Sequence, residues 1–148
     1  MEVNRLLHLA MVILDTNVVS ELMRPTPQAE VLIWFASQSA EEVYVTAITV
    51  AEILLGIEPI PTGKRRDALQ AGTERTFGVF AGRILPFDEA AAQAFSLISS
   101  SRRKQGRPMS EFDAEIAAVA RVHGAMLATR NIGDFEGCGV KLANPWER

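Results

Sequence analysis

The sequence predicts an α/β fold, a three-layer α/β/α arrangement around a central parallel sheet, on three observations. Short apolar and β-branched runs alternate with longer stretches of helical character along the chain. Capping residues, glycine and proline punctuate the junctions between them. The chain has 148 residues, 48% hydrophobic and 22% charged, which suits one buried core and is too short for two ordinary domains. Strands that alternate with helices pair in parallel, and the connecting helices then cover both faces of the sheet.

The elements follow in order. Val12–Leu14 is a compact apolar run and the first strand. Pro27 opens a helix that runs to about Ser37, with Val31, Trp34 and Phe35 on one face. Val43–Ile48 is rich in β-branched residues and reads as the second strand. Thr49-x-x-Glu52 has the form of a capping box at the start of the next helix. Arg83–Phe87 is a brief third strand, and Asp88 caps the alanine-rich helix after it. Ser110-x-x-Asp113 marks a further helix start ahead of Ile116, Val119 and Ala120. Gly124 stops that helix, as a left-handed cap does, and Ala125–Thr129 forms the fourth strand. Val140–Ala143 is a fifth and the least marked.

Residues 1–10 read as an extension that the fold does not need, with 11–148 as the single domain. The apolar run Leu6–Leu14 is interrupted by His8 and closed by Asp15 without a small-residue cleavage site. It is also too short to cross a bilayer. The expectation is a cytoplasmic protein. Cys138 stands alone, which excludes an intramolecular disulfide and a cysteine metal cluster and fits a reducing compartment. It reads as a bystander in the Gly137-Cys138-Gly139 turn. The formal net charge of −3 runs against the basic balance of most nucleic-acid binders. The positive charge is clustered in Lys64-Arg65-Arg66 and in Arg102-Arg103-Lys104 with Arg107, runs whose plainer reading is a solvated helix face.

Four acids carry the functional signal. Asp15 follows the first strand, Glu52 lies in the first turn after the second, Asp113 opens a later helix, and Asp134 follows the fourth strand. In a parallel sheet the strand C-termini share one edge, and ligands bind there. Taken singly, each acid is a helix cap or a turn residue; their joint placement on one edge is the signal. Two carboxylates about 4 Å apart repel by roughly 4 kcal/mol at an intermediate dielectric. Either one takes up a proton or a cation joins them. Mg²⁺ or Mn²⁺ suits an all-oxygen site and can activate water, orient a phosphodiester and stabilise developing charge. Glu111 and Glu115 are left outside the ligand set, because Glu115 points away from Asp113 on a helix. His8 and His123 are assigned no catalytic part.

The residues also resemble a known family. Asp15-Thr16-Asn17, Thr49-Val50-Ala51-Glu52 with Leu54 and Gly56, Asp113 ahead of Ile116-Ala117-Ala118, and Ala128-Thr129-Arg130-Asn131 with Asp134-Phe135 are similar to the ordered motifs of PIN domains. Within that family they resemble VapC-type toxins of the FitB-like branch, as do Gly137-Cys138-Gly139-Val140 and Asn144-Pro145-Trp146. The similarity runs from Met11 to Trp146.

The resemblance implies strand order 3-2-1-4-5 and a Mg²⁺- or Mn²⁺-dependent endoribonuclease, the toxin of a type II toxin–antitoxin pair. It further implies a homodimer, a VapB-like antitoxin that blocks the acidic cleft, and operator DNA contacted only through the antitoxin. Carried over by position, Asp15 and Asp113 are the direct metal ligands, and Glu52 and Asp134 ligate directly or through water. Thr16, Asn17, Thr129 and Asn131 orient those carboxylates. Arg130, Lys64, Arg65, Arg102 and Arg103 are candidates for RNA phosphate contacts.

Two rival classes remain beside it: another metal-dependent phosphohydrolase, and a non-catalytic module that binds RNA or protein. A haloacid-dehalogenase-like enzyme needs an acid where Asn17 stands, and a dinucleotide-binding module needs glycines absent from Asp15-Thr16-Asn17-Val18.

Overall fold

The computed structural model describes residues 11–147, so the expectation about residues 1–10 lies outside the described residues. The strands are β1 (Val12–Leu14), β2 (Val43–Thr46), β3 (Ile84–Leu85), β4 (Met126–Ala128) and β5 (Lys141–Ala143). Between them run helices α1 (Thr16–Leu22), α2 (Ala29–Ala36), α3 (Ala47–Ile57), α4 (Lys64–Val79), α5 (Glu89–Lys104), α6 (Glu111–His123) and the short α7 (Ile132–Phe135). The sheet order is β3-β2-β1-β4-β5 and every pair is parallel, as expected.

Side chains alternate across a strand, so a sheet covered on both faces needs two cores. Both are present. Val12 and Leu14 of β1, Val43 and Val45 of β2 and Ala128 of β4 pack with Val18, Val19 and Val31 of α1 and α2. Ile13 and Leu127, pointing the other way, pack with Ala91, Ala94 and Ile98 of α5 and with Ile116–Ala120 of α6. The alanine run on α6 lets that helix lie close to the sheet, and Ala117, Ala118 and Ala120 are fully buried. Among the described residues no helix is long and apolar enough to cross a membrane.

Several boundaries shift, for local reasons. β2 ends at Thr46 rather than Ile48, because the Thr46 hydroxyl accepts the Thr49 N–H at 3.1 Å and starts α3 there. The Thr49–Glu52 capping box is therefore not formed: the helix begins one turn earlier, which frees Glu52 for other contacts. The helix expected from Pro27 starts at Ala29, with Gln28 at its N-cap making no side-chain bond. Three other expected caps are present. Asp88 accepts the Ala91 N–H at 2.9 Å, Ser110 accepts the Asp113 N–H at 3.2 Å, and Gly124 ends α6 at φ 61°. That last conformation favours glycine.

β4 lies between β1 and β5, and its Leu127 is fully buried. Leu127→Ala is expected to cost about 2–5 kcal/mol of folding stability, measured by urea denaturation. A loss under 1 kcal/mol would mean the second core is not packed as described.

Candidate active site

The C-terminal edge of the sheet gathers the predicted acids through backbone geometry. Asp15 extends β1, its N–H bonded to Ala128 O at 2.8 Å, and it then caps α1. Its carboxylate is 3% exposed. One oxygen accepts the Thr16 N–H at 2.8 Å and the other accepts the Thr129 hydroxyl at 2.7 Å. Thr129, fully buried just beyond β4, is the hub of this edge. Its oxygen also accepts the Asn131 N–H at 3.0 Å and lies 3.5 Å from Asn17 Nδ2, while Asn17 Oδ1 accepts the Arg130 N–H at 3.3 Å. On the opposite side Thr16 donates its hydroxyl to Glu52 Oε1 at 2.8 Å and lies 3.0 Å from the Thr49 hydroxyl.

These groups line a cavity of about 550 Å³, whose walls include Asp15, Thr16, Asn17, Glu52, Asp113, Arg130 and Asn131. Asp134 is not among its lining residues; it sits exposed on α7, near enough for its charge to raise the Asp113 pKa. The electrostatics follow from burial and crowding. Burial pushes Asp15 up to about 6 against the two hydrogen bonds it accepts, with the charges of Asp113 and Glu52 adding to the rise. Glu52 and Asp113 are raised as well, chiefly by burial. Among the described residues none of these three carboxylates has a salt-bridge partner. Carboxylate oxygens on one cavity wall are the kind of donor a hard divalent ion takes. No three acidic, histidine or cysteine side chains among the described residues stand within ligating reach of one point. Asp15, Glu52 and Asp113 share one cavity wall without converging on a single point.

The structure also shows wall residues that sequence reasoning missed: Ser20, Glu21, Arg24 and Trp146. Glu21 is 5% exposed and is paired with Arg24 at 3.3 Å. Asn17, Ser20 and Glu21 on α1 and Arg24 just beyond it recur at helical spacing, and that polar stripe was a readable signal. The Arg130 guanidinium lies 5.0 Å from the centre of the Trp146 ring. Glu115, set aside as pointing away from Asp113, lies close enough to Glu52 for its charge to raise that pKa.

The basic residues divide. Arg65 lines a neighbouring groove, while Lys64 and Arg103 are exposed on α4 and α5 and line neither cavity. Arg102 is not available to phosphate. It is 4% exposed, and its guanidinium donates to the main-chain carbonyls of Arg107 at 2.6 Å and Glu136 at 2.5 Å. Cys138 is buried against Met109, and burial pushes its thiol up, consistent with an inert side chain.

Comparison with known proteins agrees with this geometry. The PIN domain family profile matches residues 12–136. The chain is 41% identical to VapC ribonuclease Y4jK of Sinorhizobium fredii over 138 residues, 93% of this chain and 99% of that protein. It is 42% identical to toxin FitB of Neisseria gonorrhoeae over 137 residues, 92% of this chain and 99% of the toxin. The solved structure of FitAB bound to an IR36 DNA fragment superposes with a TM-score of 0.86 at 42% identity, covering 93% of this chain and 97% of the matched one. Sheet order, acidic edge and near full-length similarity converge, and the chain belongs to the PIN domain family.

Proposed function

We propose that the protein is a Mg²⁺- or Mn²⁺-dependent endoribonuclease, the toxin of a type II toxin–antitoxin pair. The observation that carries the reading is the cavity in which Asp15, Glu52 and Asp113 stand together without a cationic partner. Similarity to a VapC ribonuclease and to toxin FitB supplies the substrate class and the biological setting.

Asp15 and Asp113 would hold the ion directly, with Glu52 and Asp134 completing its shell directly or through water. When bound, the ion supplies an acidified water and neutralises charge on the scissile phosphate. The chain's own groups do the rest. Thr129 and the Thr16 N–H fix the Asp15 carboxylate, and Thr16 fixes that of Glu52. Arg130, on the cavity wall, supplies positive charge to an RNA phosphate.

An antitoxin partner is supported by a second feature. A groove of about 850 Å³, lined by apolar residues including Met23, Ile53, Ile57, Ile60 and Leu69, adjoins the acidic cavity. Thr16, Ser20, Arg24 and Glu52 line both. A VapB-like segment seated in the groove would touch the side chains that order the site and would block it. Similarity to the FitAB–DNA structure supports operator binding in which the antitoxin makes the DNA contacts, and a homodimeric, cytoplasmic toxin fits the same setting.

Purified protein is expected to cut labelled RNA with Mg²⁺ or Mn²⁺ and to stop when a chelator is added. Asp15→Asn and Asp113→Asn should each lower the rate by more than the roughly 100-fold that marks outer-sphere partners. Equal cleavage by wild type and both variants would assign the activity to a contaminant.

The same carboxylate predicts a stability change of opposite sense. Folded Asp15 keeps its proton to about pH 6, whereas an unperturbed carboxyl releases it near 3.8. The folded state thus binds more protons in that window, and stability falls as pH rises through it. At pH 7.5 in chelator, Asp15→Asn should therefore raise stability by about 1–3 kcal/mol, read as a higher Tm. Mn²⁺ should raise the Tm of the wild type and leave that of the variant nearly unchanged. A variant less stable than wild type in chelator would show that burial does not strain this carboxylate.

A further inference from the structure

Arg102 and Arg107 make a clamp between two separate parts of the chain. Both come from the end of α5 and the connector to α6, and both reach across to the turn around α7. Arg102 donates to the carbonyls of Arg107 at 2.6 Å and Glu136 at 2.5 Å, and its own carbonyl accepts the Arg107 N–H at 2.9 Å. Arg107 donates to the Gly133 carbonyl at 2.9 Å and lies 3.5 Å from the Glu136 carboxylate. Two guanidinium groups therefore hold the main-chain carbonyls on either side of Asp134 in sequence.

Burying a guanidinium is costly, and Arg102 is 4% exposed with no carboxylate partner among the described residues. Its donors are met instead by the Arg107 and Glu136 carbonyls. Asp134 rides on α7 and Asp113 on the first turn of α6, and the Asp134 charge is near enough to raise the Asp113 pKa. The connector that carries both arginine contacts runs directly into Ser110, the residue that caps α6 and fixes the start of the Asp113 helix.

We propose that Arg102 and Arg107 are positioning residues: they fasten the Asp134 turn to the α5–α6 connector, so that Asp134 and Asp113 are presented together to one divalent cation. This rests on the metal reading above and adds to it a cause for the approach of Asp134.

The test measures Mn²⁺ binding to the full chain by titration calorimetry, without RNA. Arg107 is the residue to vary, since its side chain is 48% exposed and its removal opens no core. Arg107→Ala should weaken Mn²⁺ affinity by about 10-fold, with the Tm in chelator within a few degrees of wild type. Arg107→Lys keeps a donor for the Gly133 carbonyl and should recover most of the loss. Asp134→Asn should weaken binding at least as much as Arg107→Ala, and the double variant should bind no more weakly than Asp134→Asn alone. Wild-type affinity in Arg107→Ala, or losses that add in full in the double variant, would overturn the proposal. Failure is separable by protein: a folded wild type that binds no Mn²⁺ refutes the metal reading itself and the clamp with it.

Discussion

The bond from the Thr129 hydroxyl to the Asp15 carboxylate is the constraint on which the rest of this edge depends. It ties the end of β1 to the end of β4 at the point where the two strands stop pairing. Both side chains are almost wholly buried, so the bond forms away from water, where a donor lost would leave a costly unsatisfied acceptor. Asn17, Arg130 and Asn131 are then placed by bonds that meet at or beside Thr129. A single hydroxyl thus couples the loop after β1 to the loop after β4.

That rigidity has an energetic cost, carried by the carboxylates. Burial, with neighbouring carboxylates adding to it, raises Asp15, Glu52 and Asp113, so keeping them charged in the folded chain is costly. Such strain is tolerated where other contacts over-determine the geometry. Here the two cores, packed on opposite faces of the same strands, provide the excess. Three-layer packing and an acidic edge are thus linked: the sheet must be held from both sides before its rim can store repulsion.

Much of this was legible in the sequence because backbone rules act locally. The strand runs, the Asp88 and Ser110 caps and the Gly124 stop each announce themselves within a few residues, and a parallel sheet then sends Asp15, Glu52 and Asp113 to one edge. Asp134 was expected in the same ligand set, yet it sits exposed on α7 outside the cavity lining, on a turn held by guanidinium contacts from residues far away in sequence. The Thr49–Glu52 pattern misled for an instructive reason. Thr46 offered the same capping chemistry one turn earlier, and a strand that ends in threonine leaves two candidate caps that only tertiary packing can choose between. Glu52, released from capping, bonds Thr16 instead.

The charge balance of the cavity decides how an acidic protein could meet an RNA phosphate. The basic clusters add little there: Lys64 and Arg103 line neither cavity, and Arg102 is buried on the carbonyls of Arg107 and Glu136. The cavity wall itself holds four carboxylates, Asp15, Glu21, Glu52 and Asp113, against the two arginines Arg24 and Arg130. Arg24 is already paired with Glu21, which leaves Arg130 as the wall's unpaired cation among the described residues. A phosphate approaching this wall meets net repulsion, and one arginine does not reverse it. A divalent ion held by these carboxylates would reverse that sign at the point of contact, so the proposed ion would admit the substrate before it served the chemistry.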